Sequence, residues 1–264
     1  MDKDYSPKMA VIVSSCDRYA DLLEPFHQVF TKYWPDCQYR KVLVTQSKPE
    51  TIGLHMFDHI DAWGVDMPWT QRLLYTLRAL STPYFLLILD DFFMSGMFSN
   101  AKAEHYLDIL QEKQGAGIRL TPLPKPKRAV TSEYGEYPIG QAYRVSAQVG
   151  IWNREYMILL LEDLQASELW NFERYGSLVS EKYISPSFGT YQTVFPYTEV
   201  ICFGRWLAGG LRFIENEGIT IDRSRRAAEP WWFLLYREAR GIVFRLNPTL
   251  VTKIVMKLSK EAGK

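Results

Sequence analysis

The sequence predicts an α/β protein built around a parallel sheet. A strand pattern at residues 9–15, a helical pattern after it and a second strand pattern at 40–46 follow one another within about 40 residues, which is typical of a β-α-β unit. A further run, residues 84–89, is apolar at every position, as in a strand that is buried on both faces. Together the two observations favour parallel strands covered by helices.

The N-terminal half contains the clearest elements. After the strand at 9–15, Ser15 or Asp17 is positioned to cap a helix in which Pro25 marks a start or a kink. The strand at 40–46 follows, and then a helix at 69–80 leads into the strand at 84–89. Another helix is predicted at 101–113, with Ser99 or Asn100 as its cap.

The C-terminal half is less regular. We predict a short strand at 117–120, a long loop rich in proline and glycine at 121–143, and a strand at 145–152. The long loop is interpreted either as a functional lid or as a plain surface excursion. Asn153 caps a helix, and two short strands are expected within residues 198–222. The tail at 241–264 has an amphipathic pattern, with lysines beside an apolar stripe.

Composition excludes several classes of protein. The net charge is +1, whereas a dedicated nucleic-acid binder is usually more basic. Three scattered cysteines are too few for a disulfide framework or a zinc site, and the first residues lack the apolar segment of a signal peptide. No apolar run has the length of a membrane-spanning helix. A cytoplasmic location is therefore expected.

The strand at 84–89 ends in two adjacent carboxylates, Asp90 and Asp91. Carboxylates at the end of a buried strand are costly unless something positive lies nearby. Ligands of open α/β sheets bind at the carboxyl ends of the strands, and a divalent metal that carries a diphosphate would supply the positive charge. The alternative is a pair of helix-capping residues.

Several motifs occur in one order along the chain. They are residues 13–19 (Val-Ser-Ser-Cys-Asp-Arg-Tyr), 69–73 (Trp-Thr-Gln-Arg-Leu), 87–93 (Leu-Ile-Leu-Asp-Asp-Phe-Phe), 146–156 (Ser-Ala-Gln-Val-Gly-Ile-Trp-Asn-Arg-Glu-Tyr), 170–173 (Trp-Asn-Phe-Glu) and 204–206 (Gly-Arg-Trp). The ordered set, over residues 9–225, resembles bacterial sugar-nucleotide glycosyltransferases of the GT-A fold, of the kind encoded in cell-surface polysaccharide gene clusters.

The resemblance implies a Rossmann-like α/β/α sandwich with a mostly parallel, mixed sheet. One domain would span residues 1–240, with a nucleotide-binding half at about 9–115 and an acceptor half at about 116–240. The implied activity is transfer of a sugar from a nucleotide-diphosphate donor, a UDP-sugar by preference, to a hydroxyl of a surface glycan or lipid-linked acceptor. A metal-assisted, inverting transfer with a carboxylate base is expected, and retention of configuration stays open as the alternative.

The acidic motif departs from the family pattern. The usual form is Asp-any-Asp, whereas this chain has Leu89-Asp90-Asp91. By analogy with enzymes that keep only the last carboxylate as a direct ligand, Asp91 is expected to bind Mn²⁺ or Mg²⁺. Asp90 would then face the ribose or a metal-bound water.

The resemblance places the nucleotide among residues of the N-terminal half. Small polar side chains after the first strand let the backbone approach a nucleotide, and Gln46 is suited to a uracil edge. Trp69 and Arg72 lie one helical turn apart, so they share a face on which Arg72 would reach a phosphate. The alternatives are a cap and turn, a core tryptophan and a surface arginine. The set is Ser14, Ser15, Asp17, Arg18, Gln46, Trp69, Arg72 and Asp90.

The acceptor is expected in the C-terminal half. Arg144, Gln148 and Trp152 would share one face of a strand and line the acceptor site, together with Trp170. Glu173 is the predicted catalytic base, because a carboxylate among aromatic residues is suited to take the proton of an acceptor hydroxyl. The alternatives are strand packing for the first group and an ion pair with Arg174 for Glu173.

Two functions of other classes remain open. A carbohydrate-binding module would use the aromatic residues but would not need Asp90 and Asp91 at a strand end. A sugar nucleotidyltransferase typically has a glycine-rich first loop, which residues 13–17 lack. The basic tail at 241–264 is interpreted either as a peripheral contact with the inner face of the membrane or as a helix packed on the domain.

Overall fold

The computed structural model describes residues 5–49, 57–164 and 166–233. The predicted tail helix at 241–264 lies outside the described residues. Within them, no helix is long and apolar enough to cross a membrane.

The strands are short, and most belong to one large sheet. Their bounds are β1 (Met9–Ser14), β2 (Arg40–Thr45), β3 (His59–Ala62), β4 (Tyr84–Leu89), β5 (Phe92–Met94), β6 (Gly117–Arg119), β7 (Arg128–Ala129), β8 (Tyr134–Tyr137), β9 (Gly150–Asn153), β10 (Ser187–Thr190), β11 (Tyr197–Glu199), β12 (Ile201–Cys202) and β13 (Arg205–Trp206).

The helices lie between these strands. Their bounds are α1 (Leu23–Tyr33), α2 (Trp69–Ala79), α3 (Asn100–Glu112), α4 (Arg154–Leu164), α5 (Leu169–Val179) and α6 (Ala208–Asn216). Three short 3-10 helices occupy Asp17–Leu22, Ser180–Lys182 and Arg223–Arg225.

Local chemistry accounts for the helix starts that the sequence predicts. The Ser99 side chain caps α3 by accepting a hydrogen bond from the amide of Lys102 at 3.3 Å. The Asn153 side chain does the same for α4, through the amide of Tyr156 at 3.0 Å. Pro25 lies in the first turn of α1, where a helix does not need its missing amide hydrogen. These three predictions are confirmed, whereas the predicted cap by Ser15 or Asp17 is wrong, because neither the 3-10 helix at Asp17–Leu22 nor α1 has a side-chain cap.

The main sheet is mixed, with its strands in the order β3-β2-β1-β4-β9-β6-β10-β8-β7. The first four strands are parallel, β9 runs against both of its neighbours, and β10 is parallel to β6. The β8 strand is antiparallel to β10, and β7 completes the edge. Two small antiparallel sheets are separate from the main sheet, and they pair β5 with β11 and β12 with β13.

Helices cover both faces of the sheet. On one face, alternate residues of β1 and β4 such as Val11 and Leu86 pack with Phe26 of α1 and Leu107 of α3. On the other face, the intervening residues such as Ile12 and Leu87 pack with α2, α4 and α5. Strands buried on both faces explain the uninterrupted apolar runs. The predicted α/β/α sandwich with a mostly parallel, mixed sheet is confirmed.

The C-terminal half differs from the prediction at several points, and α5 and β10 were not predicted. The strand expected at 145–152 is only β9, at Gly150–Asn153, and the loop expected at 121–143 contains β7 and β8. Residues 198–222 contain α6 in addition to short strands. In the N-terminal half the sequence analysis missed β3, whose alternation is weak because it lies at the sheet edge.

Candidate functional site

The carboxyl ends of β1 and β4 lie side by side, because Ser14 is paired with Leu89 across the parallel ladder. The next residues, Ser15 and Asp90, therefore leave the sheet together. The Ser15 hydroxyl donates a hydrogen bond to the Asp90 carboxylate, and the Asp90 amide donates to the Ser14 carbonyl at 3.1 Å. Burial raises the pKa of Asp90, and the Ser15 hydroxyl and Arg226 oppose that rise. Asp90 is thus held inside the protein.

Asp91 is placed differently from its neighbour. Its carbonyl accepts a hydrogen bond from the amide of Val200 at 2.9 Å, which joins the end of β4 to the segment after β11. Its Oδ1 atom is buried and has no hydrogen-bond partner among the described residues. Burial raises the pKa of Asp91, and the charges of Asp90 and Glu199 raise it further. A buried carboxylate oxygen without a partner is costly, and a bound cation would satisfy it.

Asp91 lines a cavity of about 300 Å³ at this edge of the sheet. Three acidic residues, two tyrosines and a glutamine are among the residues that line it, and they come from strands, a helix and loops. The lining residues are Tyr19, Leu89, Asp91, Phe92, Tyr143, Ala147, Gln148, Leu169, Trp170, Glu173, Glu199, Ile201, Cys202 and Phe203. The predicted metal ligand, Asp91, and the predicted base, Glu173, therefore lie in one cavity.

Glu173 is held in a fixed position on α5. Its Oε1 atom accepts hydrogen bonds from the Ser146 hydroxyl at 2.9 Å and from the amide of Ala147 at 3.0 Å. The Ser146 hydroxyl in turn accepts a hydrogen bond from the amide of Gln148 at 3.1 Å. Two donors at one oxygen orient the carboxylate and leave its other oxygen for a ligand.

The open side of the cavity is aromatic. The rings of Trp170 and Phe203 are stacked, with centroids 5.0 Å apart and an interplanar angle of 1°. Their exposed fractions are 45% and 52%. Trp170 therefore lies at the wall of the cavity and is open to solvent, and its contact with an acceptor stays a prediction.

Trp69 and Arg72 share a helix face, as the sequence predicts, but both are buried. Trp69 Nε1 donates to the Ser14 hydroxyl at 2.8 Å, and its ring packs 5.0 Å from that of Phe172. An Arg72 guanidinium nitrogen donates to the Ser15 carbonyl at 3.1 Å, and burial lowers the pKa of Arg72. Through these contacts the two side chains support the end of β1 from inside the protein. The prediction that they cover a base and reach a phosphate is therefore wrong, because both are buried.

Asp17 and Gln46 fix the first loop to the end of β2. Both carboxylate oxygens of Asp17 accept hydrogen bonds from Ser47, at 2.8 Å from the amide and 2.7 Å from the hydroxyl. Gln46 Oε1 accepts from the Asp17 amide at 3.1 Å. Both residues lie at the strand ends beside the cavity but are not among its lining residues.

Arg18 is exposed, and its guanidinium lies against the turn between β12 and β13. A Cβ atom at Gly204 would lie 2.5 Å from an Arg18 nitrogen, and Gly204 has φ +72°. Glycine suits this position because of its backbone conformation, and a side chain here would also displace the Arg18 guanidinium. Among the described residues no carboxylate pairs with the Arg18 side chain, so this cation remains available near the cavity.

The prediction that Arg144, Gln148 and Trp152 share one face of a strand is wrong, because Arg144 and Gln148 precede β9. Arg144 is 2% exposed and donates to the carbonyls of Tyr137, Ser180 and Ser185 at 2.6–3.2 Å. Trp152 is buried in the core and is not available to stack on a sugar. Only Gln148 lines the cavity, where it accepts a hydrogen bond from the hydroxyl of Tyr197.

Three residues of the site were missed by the sequence analysis. Glu199 and Phe203 lie on very short strands and a turn, which carry no periodic signal. Arg226 is buried, donates to both carboxylate oxygens of Asp21, and lies over the ring of Tyr19 at 5.1 Å. The signal in the sequence that points to Arg226 is the presence of three arginines within residues 223–226.

The donor set fits a divalent cation through one carboxylate. The unpartnered oxygen of Asp91 is the kind of ligand that Mn²⁺ and Mg²⁺ prefer, whereas Asp90 is already engaged by Ser15. Within residues 5–49, 57–164 and 166–233, no three His, Cys, Asp or Glu residues form a group that would enclose a metal by themselves. A cation here would need a ligand such as a diphosphate to complete its coordination.

No protein-family model matches the chain, and no curated protein matches it either. Among solved structures, S. aureus TarS is 13% identical over 72% of this chain and 36% of its own, with a TM-score of 0.46. TarS 1-349 in complex with UDP-GlcNAc is 13% identical over 72% and 57%, with a TM-score of 0.44.

The mannosyltransferase PcManGT from Pyrobaculum calidifontis, in complex with GDP-Man and Mn²⁺, is 11% identical over 77% of this chain and 61% of its own, with a TM-score of 0.46. The chain thus spans between 36% and 61% of the length of these three proteins. Likeness of this size does not assign the chain to a family.

Proposed function

We propose that the protein is a GT-A glycosyltransferase that moves a sugar from a nucleotide-diphosphate donor, a UDP-sugar by preference, to a hydroxyl of a glycan or lipid-linked acceptor. The observation that carries the proposal is the cavity in which Asp91 at a strand end faces Glu173 and Trp170. A metal with a diphosphate would satisfy Asp91. An acceptor hydroxyl would bind at Glu173, and the sugar ring that carries it would stack on Trp170.

The donor would bind at the ends of β1, β2 and β4. Ser14 and Ser15 keep the backbone there free of bulky side chains, and Asp17 and Gln46 fix the adjacent loop. Asp91 would hold Mn²⁺ or Mg²⁺, which when bound neutralises charge that develops on the departing diphosphate. Arg18, exposed beside Gly204, would add a second positive charge.

The acceptor would lie against Trp170, with its hydroxyl at Glu173. The Ser146 hydroxyl and the Ala147 amide engage Oε1, and the second oxygen of the carboxylate would take the proton of the attacking hydroxyl. This favours an inverting transfer with a carboxylate base.

Thermal unfolding with nucleotides tests the donor half of the proposal. UDP with Mn²⁺ is expected to raise the melting temperature, because a ligand at 100 times its Kd adds about 2.7 kcal/mol. Asp91→Asn should abolish the rise, whereas Asp108→Asn, a change at an exposed aspartate on α3, should keep it. If neither UDP, GDP nor their sugars with metal stabilise the protein, the proposal is wrong.

A carbohydrate-binding module without catalysis is the second candidate. The exposed stack of Trp170 and Phe203 favours it, because such a module needs an aromatic surface and no metal site. Glycan binding without any nucleotide binding would select this alternative.

A further inference from the structure

An aromatic surface continues outward from the cavity. We call it the aromatic rail and define it as Trp170, Phe203, Phe233 and Trp232. Consecutive ring centroids are 5.0, 6.0 and 5.9 Å apart. The outer ring, Trp232, is 55% exposed. Contiguous exposed apolar surface of this kind marks interaction sites on soluble proteins.

The turn that presents Phe203 is strained. Phe203 and Gly204 form the two-residue loop between β12 and β13, with φ of 49° and 72°. Positive φ at both positions is the signature of a type I′ turn, whose first position favours asparagine rather than a bulky residue. A phenylalanine in this conformation, half exposed, is a costly choice of the kind found at binding sites.

The chemistry beside the rail favours a sugar chain as its occupant. Trp170 and Phe203 belong both to the rail and to the cavity, so the surface is continuous with the position expected for the reacting hydroxyl. The cavity also offers the carboxylates of Glu173 and Glu199, which accept hydrogen bonds from hydroxyls and repel anionic headgroups. The Trp170 and Phe203 rings are parallel, whereas Phe233 meets Phe203 and Trp232 edge-on at 82° and 87°. The rail therefore offers exposed aromatic faces and edges in turn, on which the apolar faces of successive sugar rings can pack.

We propose that the aromatic rail is a binding site for an acceptor glycan of two or more sugar units. The terminal unit would enter the cavity, and the preceding units would lie over Phe203, Phe233 and Trp232. This inference rests on the proposed function and adds that the acceptor is an oligosaccharide or a polymer rather than a single sugar.

Calorimetric titration with glycans of increasing length tests the proposal. The probes are monosaccharides, disaccharides and tetrasaccharides of the chito-, cello- and malto- series. In at least one series the tetrasaccharide should bind on the order of tenfold more tightly than the monosaccharide. If no series shows a gain with length, the proposal is wrong.

Two variants and a control locate the effect. Phe203→Asn removes the ring but suits the positive φ, so the turn is kept while the gain with length should fall by about tenfold. Trp170→Ala should have the same effect. Trp231→Ala is the control, because Trp231 is 75% exposed but is not part of the described ring contacts. Equal gains in Phe203→Asn and the wild type would overturn the assignment.

Vesicle pelleting separates a glycan from a membrane. Vesicles of phosphatidylcholine, alone and with phosphatidylglycerol, should not pellet the protein. Pelleting that Phe203→Asn and Trp170→Ala both reduce would assign the rail to a lipid surface and reject the glycan. Stabilisation by UDP with Mn²⁺ is measured in parallel. If UDP stabilises the protein but glycan binding shows no gain with length, only this inference fails. If glycans bind but UDP does not stabilise the protein, the transferase proposal fails.

Discussion

The two walls of the cavity are built in different ways. Asp91 belongs to a wall that the main-chain ladder of β1 and β4 positions directly, since it lies two residues beyond the end of β4. Trp170, Glu173 and Phe203 belong to a wall made from a helix and a tight turn, and side-chain hydrogen bonds hold that wall in place. Backbone pairing therefore determines the position of the strand-end wall, whereas individual side chains determine the position of the helix-and-turn wall.

Asp91→Asn tests whether donor chemistry is confined to the strand-end wall. The variant should lose about 1000-fold in kcat/KM, because the proposed metal at Asp91 would contribute several kcal/mol to charge stabilisation. Glycan binding measured by calorimetry should be unchanged, since the aromatic wall is untouched. Loss of both properties together would break the distinction between the walls.

Arg144→Leu tests whether the second wall depends on single side chains. Arg144 joins the carbonyls of Tyr137, Ser180 and Ser185, so its loss should lower the free energy of unfolding by about 3 kcal/mol. Urea denaturation measures this. Arg78→Leu, at an exposed pair with Glu162, is the matched control and should change stability by less than about 0.5 kcal/mol. Similar losses in the two variants would contradict the interpretation.

Glu173→Gln tests whether the helix-and-turn wall supplies the catalytic base. The variant should lower kcat by about 100-fold, because it removes the carboxylate that we propose as the base for the acceptor hydroxyl. Stabilisation by UDP with Mn²⁺ should be kept, and Glu112→Gln, at an exposed position on α3, should behave as the wild type. A variant that retains full kcat would exclude Glu173 as the base.

The smallest expected effect is the pH dependence of stability that Asp90 and Asp91 give to the metal-free protein. Burial raises the pKa of Asp90 and of Asp91, so the folded protein binds protons that the unfolded chain releases above its ordinary carboxyl pKa. The stability of the metal-free protein should therefore fall as pH rises through the raised values. In EDTA at pH 8, Asp91→Asn should melt a few degrees above the wild type, and the difference should shrink at pH 5. A wild type that is the more stable at pH 8 would contradict this.

The sequence predicts the strand-end wall well, because an apolar run followed by two carboxylates is a local signal. It predicts the second wall poorly, and residues 144–152 show why. Val145, Ala147 and Val149 alternate as in a strand, but the amides of Val145 and Ala147 are taken by the side chains of Ser177 and Glu173. Helix α5 thus uses donors that a strand ladder needs, and no periodicity in the sequence reveals it.

The remaining misses have related causes. Glu199 and Phe203 lie in segments of two or three paired residues, too short for a periodic pattern. Arg226 reaches the first loop from the far end of the described chain, and a contact of that kind has no local signature. Trp69 and Arg72 share the predicted face, but burial, which decides their role, is a property of the fold.

The bond between Arg226 and Asp21 spans 205 positions of the chain, and Arg226 also donates to the carbonyl of Arg18. During synthesis from the N-terminus, the strands β1 to β4 emerge long before this arginine does. The nascent chain can thus pair strands β1 to β4 while its first loop still lacks the cation that fastens it. The order of translation would keep the cavity incomplete until the C-terminal half of the described chain has also been made.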